Sequence, residues 1–262
     1  MAQFVFPEDR RNKIVDLIKN SDGGISIKEI AKHIEVSQSA LYKDLNILEN
    51  QRLIRKSYGK LELIDSGEKQ HNFFLSMQKN TKQKKAIGKL AASMVEDNET
   101  VFVDGSTTTF YFCEELKKHN LRNITLITNS IFIPREMIME DNINLITVGG
   151  MVNKLIGTSD GDIWELLVKN TFYANKFFFS CYSISTDIGV LDPIQNDAKM
   201  KAMFALKSQK NICLADSTKF QLYSSFNWIG LDKIDTIISD SGIGNDIREN
   251  LIKKGIELII AE

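Results

Sequence analysis

Apolar residues recur at helical spacing three times near the start of the chain, which predicts three short helices. The first covers about 10–20 and ends at a glycine-containing turn. The second runs to about His33 and begins with Ser26-Ile27-Lys28-Glu29, a capping box in which serine and glutamate satisfy each other's amides. The third, capped by Ser37, extends to about Asn50. The residues predicted to face inward are Ile14, Leu17, Ile18, Ile30, Ala31, Ile34, Leu41, Leu45 and Leu48.

Alternating residues on either side of the turn Ser57-Tyr58-Gly59 predict a β-hairpin after the third helix. Three helices followed by a hairpin form a winged helix-turn-helix, which places its third helix in the major groove of DNA. We assign this domain to residues 1–65. Its predicted DNA-binding residues lie on the outer face of the third helix and on the wing: Ser37, Gln38, Ser39, Tyr42, Lys43, Asn46, Arg55, Lys56 and Lys60. A three-helix module that docks on another protein is the alternative.

A polar connector, residues 66–80, separates this domain from a region with a different rhythm. Its apolar patch, Phe73 to Met77, predicts a linker helix or part of a dimer contact. From Thr81, a plausible helix cap, an amphipathic helix is followed by seven short apolar runs that alternate with helical segments. This alternation predicts an α/β domain with a mostly parallel sheet over residues 81–262. The runs are Thr100–Val103, Ile124–Ile127, Ile143–Val148, Lys176–Phe179, Ile212–Leu214, Ile234–Ile238 and Ile256–Ile260.

Polar residues gather just after the apolar runs, where parallel sheets bind their ligands. After the first run, Gly105 allows a turn, and the hydroxyls and free amides that follow at a helix N-terminus predict an anion site, most plausibly for phosphate. Each loop taken alone is also ordinary turn and cap chemistry. The predicted effector-binding residues are Asp104, Gly105, Ser106, Thr107, Thr108, Asn129, Ser130, Gly149, Gly150, Asp197, Lys201, Asp216 and Lys219.

Net charge, cysteine spacing and hydrophobic runs exclude some classes of protein but do not identify a function. The formal net charge is −1 over 262 residues, so basic character is local, as on the predicted wing. The three cysteines are widely spaced and match no metal or disulfide pattern, which predicts buried structural thiols in a reducing cytoplasm and no metal or cofactor. Neither a signal peptide nor a membrane span is predicted.

The ordered set of motifs resembles the DeoR family of bacterial transcriptional regulators. In the N-terminal half the matching segments are Ser26–Ala31, Val36-Ser37, Asp44-Leu45, Leu48-Glu49 and Leu53–Arg55. In the C-terminal half they are Asp104–Thr108, Thr128–Ser130, Gly149-Gly150, Asp197 with Lys201, and Asp216–Phe220. The chain departs from the family pattern at Tyr42-Lys43, Gly59-Lys60, Gly105-Ser106, Asn175 and Asp197. The resemblance implies a sensor domain similar in fold to ribose-5-phosphate isomerase, with phosphorylated sugars or sugar derivatives as effectors.

We therefore predict a transcriptional regulator, a repressor of a sugar-metabolism operon, whose partners are double-stranded operator DNA, a phosphorylated sugar and further copies of itself as a dimer or tetramer. The rival is an isomerase-like enzyme with a fused DNA-binding domain, in which Asp104, Asp197 and Lys201 would be the acid and base groups. Because a sensor needs only differential affinity, the fused domain favours the regulator, and no catalytic residue is assigned.

Overall fold

The structure is a computed structural model that describes residues 7–21, 24–34, 36–50, 53–57, 59–63 and 72–262. The chain divides between Lys79 and Asn80 into two compact units, called here the N-terminal unit and the sensor unit. Each is built around its own hydrophobic core.

The N-terminal unit contains the three predicted helices and the predicted hairpin. Its elements are α1 (Pro7–Lys19), β1 (Ile25–Ser26), α2 (Ile27–His33), α3 (Gln38–Asn50), β2 (Ile54–Ser57), β3 (Lys60–Leu63) and α4 (Phe73–Gln78), and its antiparallel sheet has the order β1-β3-β2. The capping box is present: Glu29 N donates to Ser26 Oγ (3.2 Å), and Ser26 N donates to Glu29 Oε2 (2.9 Å). Ser37 also caps α3, accepting from Ala40 N at 3.3 Å.

The core of this unit follows the predicted apolar pattern with one correction. Ala31, predicted to face inward, is exposed, because the buried side of α2 is defined by Ile30 and Ile34. The connector residues Phe74 and Leu75 pack against this core. Ion pairs anchor α3 to α1 as well, since Arg10 and Arg11 of α1 both contact the buried carboxylate of Asp44 in α3. The N-terminal unit therefore holds α3 rigidly from its inner side.

All seven predicted strands form one sheet in the sensor unit, and every neighbouring pair is parallel. The first half of the unit contains α5 (Thr81–Ala92), β4 (Thr100–Val103), α6 (Thr107–Leu116), β5 (Ile124–Thr128), α7 (Ile133–Met137), β6 (Ile143–Thr147), β7 (Met151–Asn153), β8 (Thr158–Asp160) and α8 (Asp162–Thr171). The second half contains β9 (Ala174–Phe179), β10 (Ser183–Ser185), β11 (Gly189–Asp192), α9 (Gln195–Leu206), β12 (Ser208–Leu214), β13 (Phe226–Ile229), β14 (Thr236–Asp240), α10 (Asn245–Lys253) and β15 (Glu257–Ala261), with 3-10 helices at Ser217–Gln221 and Leu231–Lys233.

The strand order β15-β14-β12-β9-β4-β5-β6 explains why these strands read as continuous apolar runs. Both faces of the sheet are covered: Phe177 and Phe179 of β9 point into one core cluster and Phe178 into the other. From β4 the chain adds β5 and β6 on one side, then β9, β12, β14 and β15 on the other. The strand order thus reverses between β4 and β9, the place where open α/β sheets bind ligands.

Two small structures of the sensor unit were not predicted. The hairpin β7–β8 is held against β5 by a bridge between Ser130 and Thr158 and by a 2.8 Å bond from Ser159 N to Asn129 O. A second sheet has the order β10-β11-β13. Thr81 is the first residue of α5 rather than its cap, because Asn80 holds the cap position. No helix among the described residues is long and apolar enough to cross a membrane.

Candidate functional site

The outer face of α3 presents the side chains that the sequence predicts for base contacts. Gln38, Ser39, Tyr42, Lys43 and Asn46 are all exposed, whereas Leu41, Leu45 and Leu48 on the opposite face are buried. Tyr42 keeps 41% of its surface exposed, so it is not a core residue. Polar side chains at this spacing on a firmly anchored helix form a surface suited to the major groove.

The wing carries its cations in exposed ion pairs. Arg55 Nη2 lies 3.0 Å from Glu62 Oε2, and Lys56 Nζ lies 3.1 Å from Glu49 Oε2. Lys60, at the start of β3, is exposed. Surface pairs of this kind contribute about 1 kcal/mol or less, so phosphate oxygens can replace the carboxylates at small cost. The wing residues Arg52 and Tyr58 lie outside the described part of the chain.

In the sensor unit, Asp104 ties together the ends of the two strands at the reversal point. Its Oδ2 accepts from Ser180 N after β9 (3.1 Å), and its Oδ1 accepts from Ser106 N (3.1 Å) and Thr109 Oγ1 (2.9 Å). The side chain is fully buried. Asp104 therefore fixes the geometry of the loop before α6.

Lys201 is surrounded by three carboxylates. Its Nζ lies 3.3 Å from Asp104, 3.1 Å from Asp192 and 3.0 Å from Asp197, and it donates to Ser180 O at 3.1 Å. Burial lowers the pKa of this ammonium, but the three carboxylates outweigh it and hold the pKa well above its ordinary value. Lys201 is one of the residues predicted to bind the effector, and in the structure its ammonium is paired with three carboxylates.

The carboxylates of this cluster are not equivalent. Asp192 also accepts from Trp228 Nε1 (2.7 Å) and Tyr182 N (2.9 Å), so it is fully engaged. Asp197 Oδ1 is buried and has no hydrogen-bond partner among the described residues. Burial raises the pKa of Asp197 to about 6, helped by Asp192 and Asp104 and opposed by Lys201. Asp197 is thus the member of the cluster whose carboxylate has an oxygen, Oδ1, that can still accept a hydrogen bond.

The N-terminus of α6 opens beside this cluster. Ser106 is the cap residue and accepts from Thr109 N at 3.2 Å, while the first intrahelical bond runs from Phe110 N to Ser106 O. The amides of Thr107 and Thr108 are used by neither, as expected for the first residues of a helix. Free amides at the positive end of a helix dipole are groups that bind anions in proteins, and α6 presents two of them here.

The β7–β8 hairpin closes one side of this position. A Cβ added to Gly105 would lie 2.3 Å from Thr158 Cγ2, so only glycine allows the hairpin to approach this closely. Thr158 Oγ1 and Asn129 Oδ1 are buried and lack hydrogen-bond partners among the residues that the structure describes. The hairpin therefore places one unsatisfied polar atom, Thr158 Oγ1, beside the α6 loop, and no sequence pattern predicted it.

Several predicted residues have clear structural tasks. Ser130 Oγ accepts from the Phe132 and Ile133 amides, both at 3.2 Å. Gly150 allows the hairpin to close, since a Cβ there would lie 2.2 Å from Asp160 O, whereas Gly149 is exposed with open space around it.

On the other side of β9, Asp216 caps the 3-10 helix that follows β12. Its carboxylate accepts from Thr218 N (3.2 Å), from the Thr218 hydroxyl and from Asn80 Nδ2 (2.9 Å). Lys219 is half-buried, with its Nζ 5.9 Å from the centre of the Tyr182 ring. This loop lies at the same edge of the sheet as the α6 loop because β12 is parallel to β9 and β4.

The structure thus brings Asp104, Asp197 and Lys201 into contact and sets Ser106, Thr107 and Thr108 beside them. Three residues of this region were not predicted: Asp192 and Thr158 lie on short strands, and Ser180 contributes its backbone amide and carbonyl. The three cysteines are buried, and burial raises the pKa of Cys113 and of Cys213. The thiols of Cys113 and Cys213 are therefore not poised as nucleophiles.

Comparison with known proteins assigns both units to described families. Residues 79–241 match the family model of the DeoR C terminal sensor domain, and residues 10–56 match an HTH domain model. The chain is 30% identical to the HTH-type transcriptional regulator GolR of Listeria innocua, over 98% of this chain and 100% of the relative. It is 32% identical to the lactose phosphotransferase system repressor of Lactococcus lactis, over 89% of this chain and 91% of the relative.

Other similar proteins include an operon activator and an enzyme of known structure. The L-fucose operon activator of Haemophilus influenzae is 25% identical over 91% of this chain and 94% of the relative. Ribose 5 phosphate isomerase A from Neisseria gonorrhoeae superposes with a TM-score of 0.39, 14% identity and 52% coverage of each chain. That score is too low to support any inference about chemistry.

Proposed function

The chain belongs to the DeoR family of transcriptional regulators, and from this premise we propose that it represses a sugar-metabolism operon under the control of a phosphorylated sugar bound at the reversal point of its sheet. It is a DNA-binding regulator and not an enzyme, because both family models and the similar full-length proteins are those of regulators. A regulator of this kind acts on the chromosome, so we place it in the cytoplasm.

The effector's phosphate is assigned to the N-terminus of α6. The amides of Thr107 and Thr108 are available there, and Ser106 and the helix dipole complete an electropositive position. The cluster around Lys201 is a poorer choice for an anion, because three carboxylates already surround one ammonium. A phosphate placed against that cluster would meet like charge.

The sugar is assigned to the acidic side of the same edge. Asp197 Oδ1, Asn129 Oδ1 and Thr158 Oγ1 are buried polar atoms without partners in the described chain, and sugar hydroxyls are donors that would satisfy them. Lys219 and Asp216 would bound the ligand on the β12 side. The observation that supports this proposal most strongly is a pairing at the point of strand reversal: a helix N-terminus with amides unused by its own helix lies beside buried polar atoms without hydrogen-bond partners.

Proline at the first position of α6 tests the phosphate assignment. Thr107→Pro deletes one amide donor, and the extended backbone of Ser106 (φ −78°, ψ 164°) is compatible with a following proline. Loss of one charge-assisted hydrogen bond costs about 1.5–3 kcal/mol, so affinity for the effector should fall roughly ten- to a hundredfold. The matched control is Asn245→Pro, which makes the same change at the first position of α10 after an extended residue.

The assay is operator binding by fluorescence anisotropy, using a duplex from upstream of the protein's own gene. Glycerol 3-phosphate, ribose 5-phosphate, glucose 6-phosphate and fructose 6-phosphate are each compared with the parent polyol or sugar. We expect one phosphate ester to change operator affinity by about fivefold or more, its parent compound to be inactive, and only Thr107→Pro to weaken the response. Equal potency of the ester and its parent would refute the phosphate assignment. A reporter gene then distinguishes repression from activation.

A further inference from the structure

Asn80, the first residue of the sensor unit, has an unusual conformation. It occupies the cap position of α5, but its backbone is left-handed (φ 53°, ψ 37°) and its side chain does not cap the helix. A cap residue normally has an extended backbone and accepts a hydrogen bond from the first turn. Asparagine tolerates the left-handed region better than most residues, yet it enters that region here without satisfying its own helix.

The Asn80 side chain instead binds the loop after β12. Its Nδ2 donates to Asp216 Oδ1 at 2.9 Å and to Thr218 Oγ1 at 3.3 Å. Asp216 is buried and caps the 3-10 helix that carries Lys219, one of the residues proposed to bound the effector. The point where the chain enters the sensor unit is therefore bonded directly to the ligand-side edge of the sheet.

The helix that Asn80 begins also contacts the other half of the proposed site. A Cβ added to Gly88 of α5 would lie 2.7 Å from Phe112 N and 2.8 Å from Tyr111 C, so the backbones of α5 and α6 are in direct contact there. α6 carries the proposed phosphate position at its N-terminus. Both sides of the proposed site, the α6 loop and the β12 loop, are thus connected to α5 by direct contacts.

We propose that Asn80 is a positioning residue with two arrangements, which couples occupation of the effector site to the start of α5 and through it to the segment leading to the N-terminal unit. In one arrangement Asn80 is left-handed and bonded to Asp216. In the other the loop has moved, and Asn80 becomes extended and caps its own helix. This inference rests on the proposed function and adds a coupling residue that does not touch the effector.

The test compares Asn80→Gly with Asn98→Gly in the full-length chain. Glycine allows the left-handed backbone to be kept and removes the side-chain amide of Asn80. Asn98 is also left-handed (φ 66°), and its side chain also forms a hydrogen bond with another side chain: its Oδ1 accepts from Asn123 Nδ2 at 3.1 Å, whereas Asn80 donates two such bonds. Asn98 precedes β4, at the opposite edge of the sheet. The two variants therefore remove the same kind of interaction at opposite ends of the strands. Asn80→Asp, which sets a carboxylate against Asp216, is a second variant with no added backbone freedom.

The probe is inorganic phosphate, titrated by calorimetry with and without the operator duplex. Coupling is reciprocal, so operator binding should change the phosphate affinity of the wild type and of Asn98→Gly by about fivefold or more. In Asn80→Gly and Asn80→Asp the phosphate affinity of the free protein should stay within about twofold of wild type, while the operator-dependent change disappears. If Asn80 had only a structural role, its substitution would not abolish the operator-dependent change while leaving the phosphate affinity of the free protein intact.

An operator-dependent change that persists in both Asn80 variants would overturn the coupling role and leave the proposed function intact. A loss of equal size in Asn98→Gly would also overturn it, because the effect would then be general. If the wild type itself binds no phosphate, or binds it equally with and without DNA, the proposed site fails and the inference falls with it. That outcome is distinguishable because it appears before any substitution.

Discussion

One buried ammonium, that of Lys201, holds three carboxylates together where the strand order of the sensor sheet reverses. Removing it would leave carboxylates buried without a counter-charge. Breaking a buried ion pair in this way typically costs about 3–5 kcal/mol. We therefore infer that Lys201 stabilises the site and affects the ligand only indirectly, by holding the carboxylates in place.

Lys201→Met should lower the free energy of unfolding by about 3–5 kcal/mol. Lys199→Met is the matched control, since Lys199 lies two residues earlier on the same helix and is exposed. Urea denaturation of both variants measures the difference. If Lys201→Met is as stable as the control, the charge of Lys201 is not needed inside the protein and the lysine would be available for the phosphate after all.

Asp197 predicts a pH dependence with a definite sign. Burial raises the pKa of Asp197 from 3.8 to about 6, so between these values the folded chain holds its proton more tightly than the unfolded chain does. The stabilising contribution is complete below pH 3.8 and is lost as pH rises through 6, with a size of up to about 3 kcal/mol. Asp197→Asn should remove this part of the stability profile between pH 4 and 7. Parallel profiles for the two proteins would contradict the shifted pKa.

At the scale of elements, α3 is predicted to carry sequence recognition. Replacing Tyr42, Lys43 and Asn46 together with alanine should abolish preference for the operator over random DNA, because these exposed side chains are the ones placed to reach base edges. The fold and effector binding should survive. Lys28→Ala with Lys32→Ala, on the exposed face of α2, is the control. Retained operator preference in the triple variant, measured by anisotropy with competitor DNA, would exclude α3 as the reader.

The wing is predicted to contribute charge rather than sequence preference. Changing Arg55, Lys56 and Lys60 to glutamine should weaken binding to every duplex. The slope of log affinity against log salt should flatten by about 0.9 for each DNA phosphate that the protein no longer neutralises. Changing Lys233, Lys253 and Lys254 to glutamine alters the net charge equally, but on the sensor unit. If the two triple variants have the same salt slope, the wing does not bind the DNA backbone.

The sequence predicts elements well where burial sets the pattern. The strands of the parallel sheet are apolar runs, and those inside the sheet are covered on both faces, so residues such as Phe177 and Phe178 are apolar regardless of the side they occupy. Asp197 and Lys201 were paired by the family resemblance, and in the structure they form an ion pair on one helix. The strands β7, β8, β10, β11 and β13 were missed because they are short and partly polar, and their pairing is decided by tertiary contacts. Asp192 entered the site from one of these strands.

At the scale of the whole molecule, each chain carries one α3, the helix predicted to read the operator, so we expect two copies to bind one operator. Paired helix-turn-helix units contact half-sites about one helical turn apart, roughly 10 base pairs. Inserting five base pairs between the half-sites should reduce affinity far more than inserting ten, because five rotates one half-site to the opposite face of the DNA. Light scattering gives the mass of the complex. Equal affinity for a single half-site would contradict binding as a dimer or larger assembly.

The reversal of strand order also has a consequence during synthesis. Asp104 directly follows the first strand of the sheet, β4, and Lys201 lies on the helix after β11, so the two sides of the proposed effector site leave the ribosome 97 residues apart. At about 5–20 residues per second that interval is roughly 5 to 20 s. The helix predicted to read DNA, α3, has been made before either side. A growing chain therefore carries that helix for some seconds before it has anything with which to sense a sugar, and only completion of the second half of the sheet brings it under metabolic control.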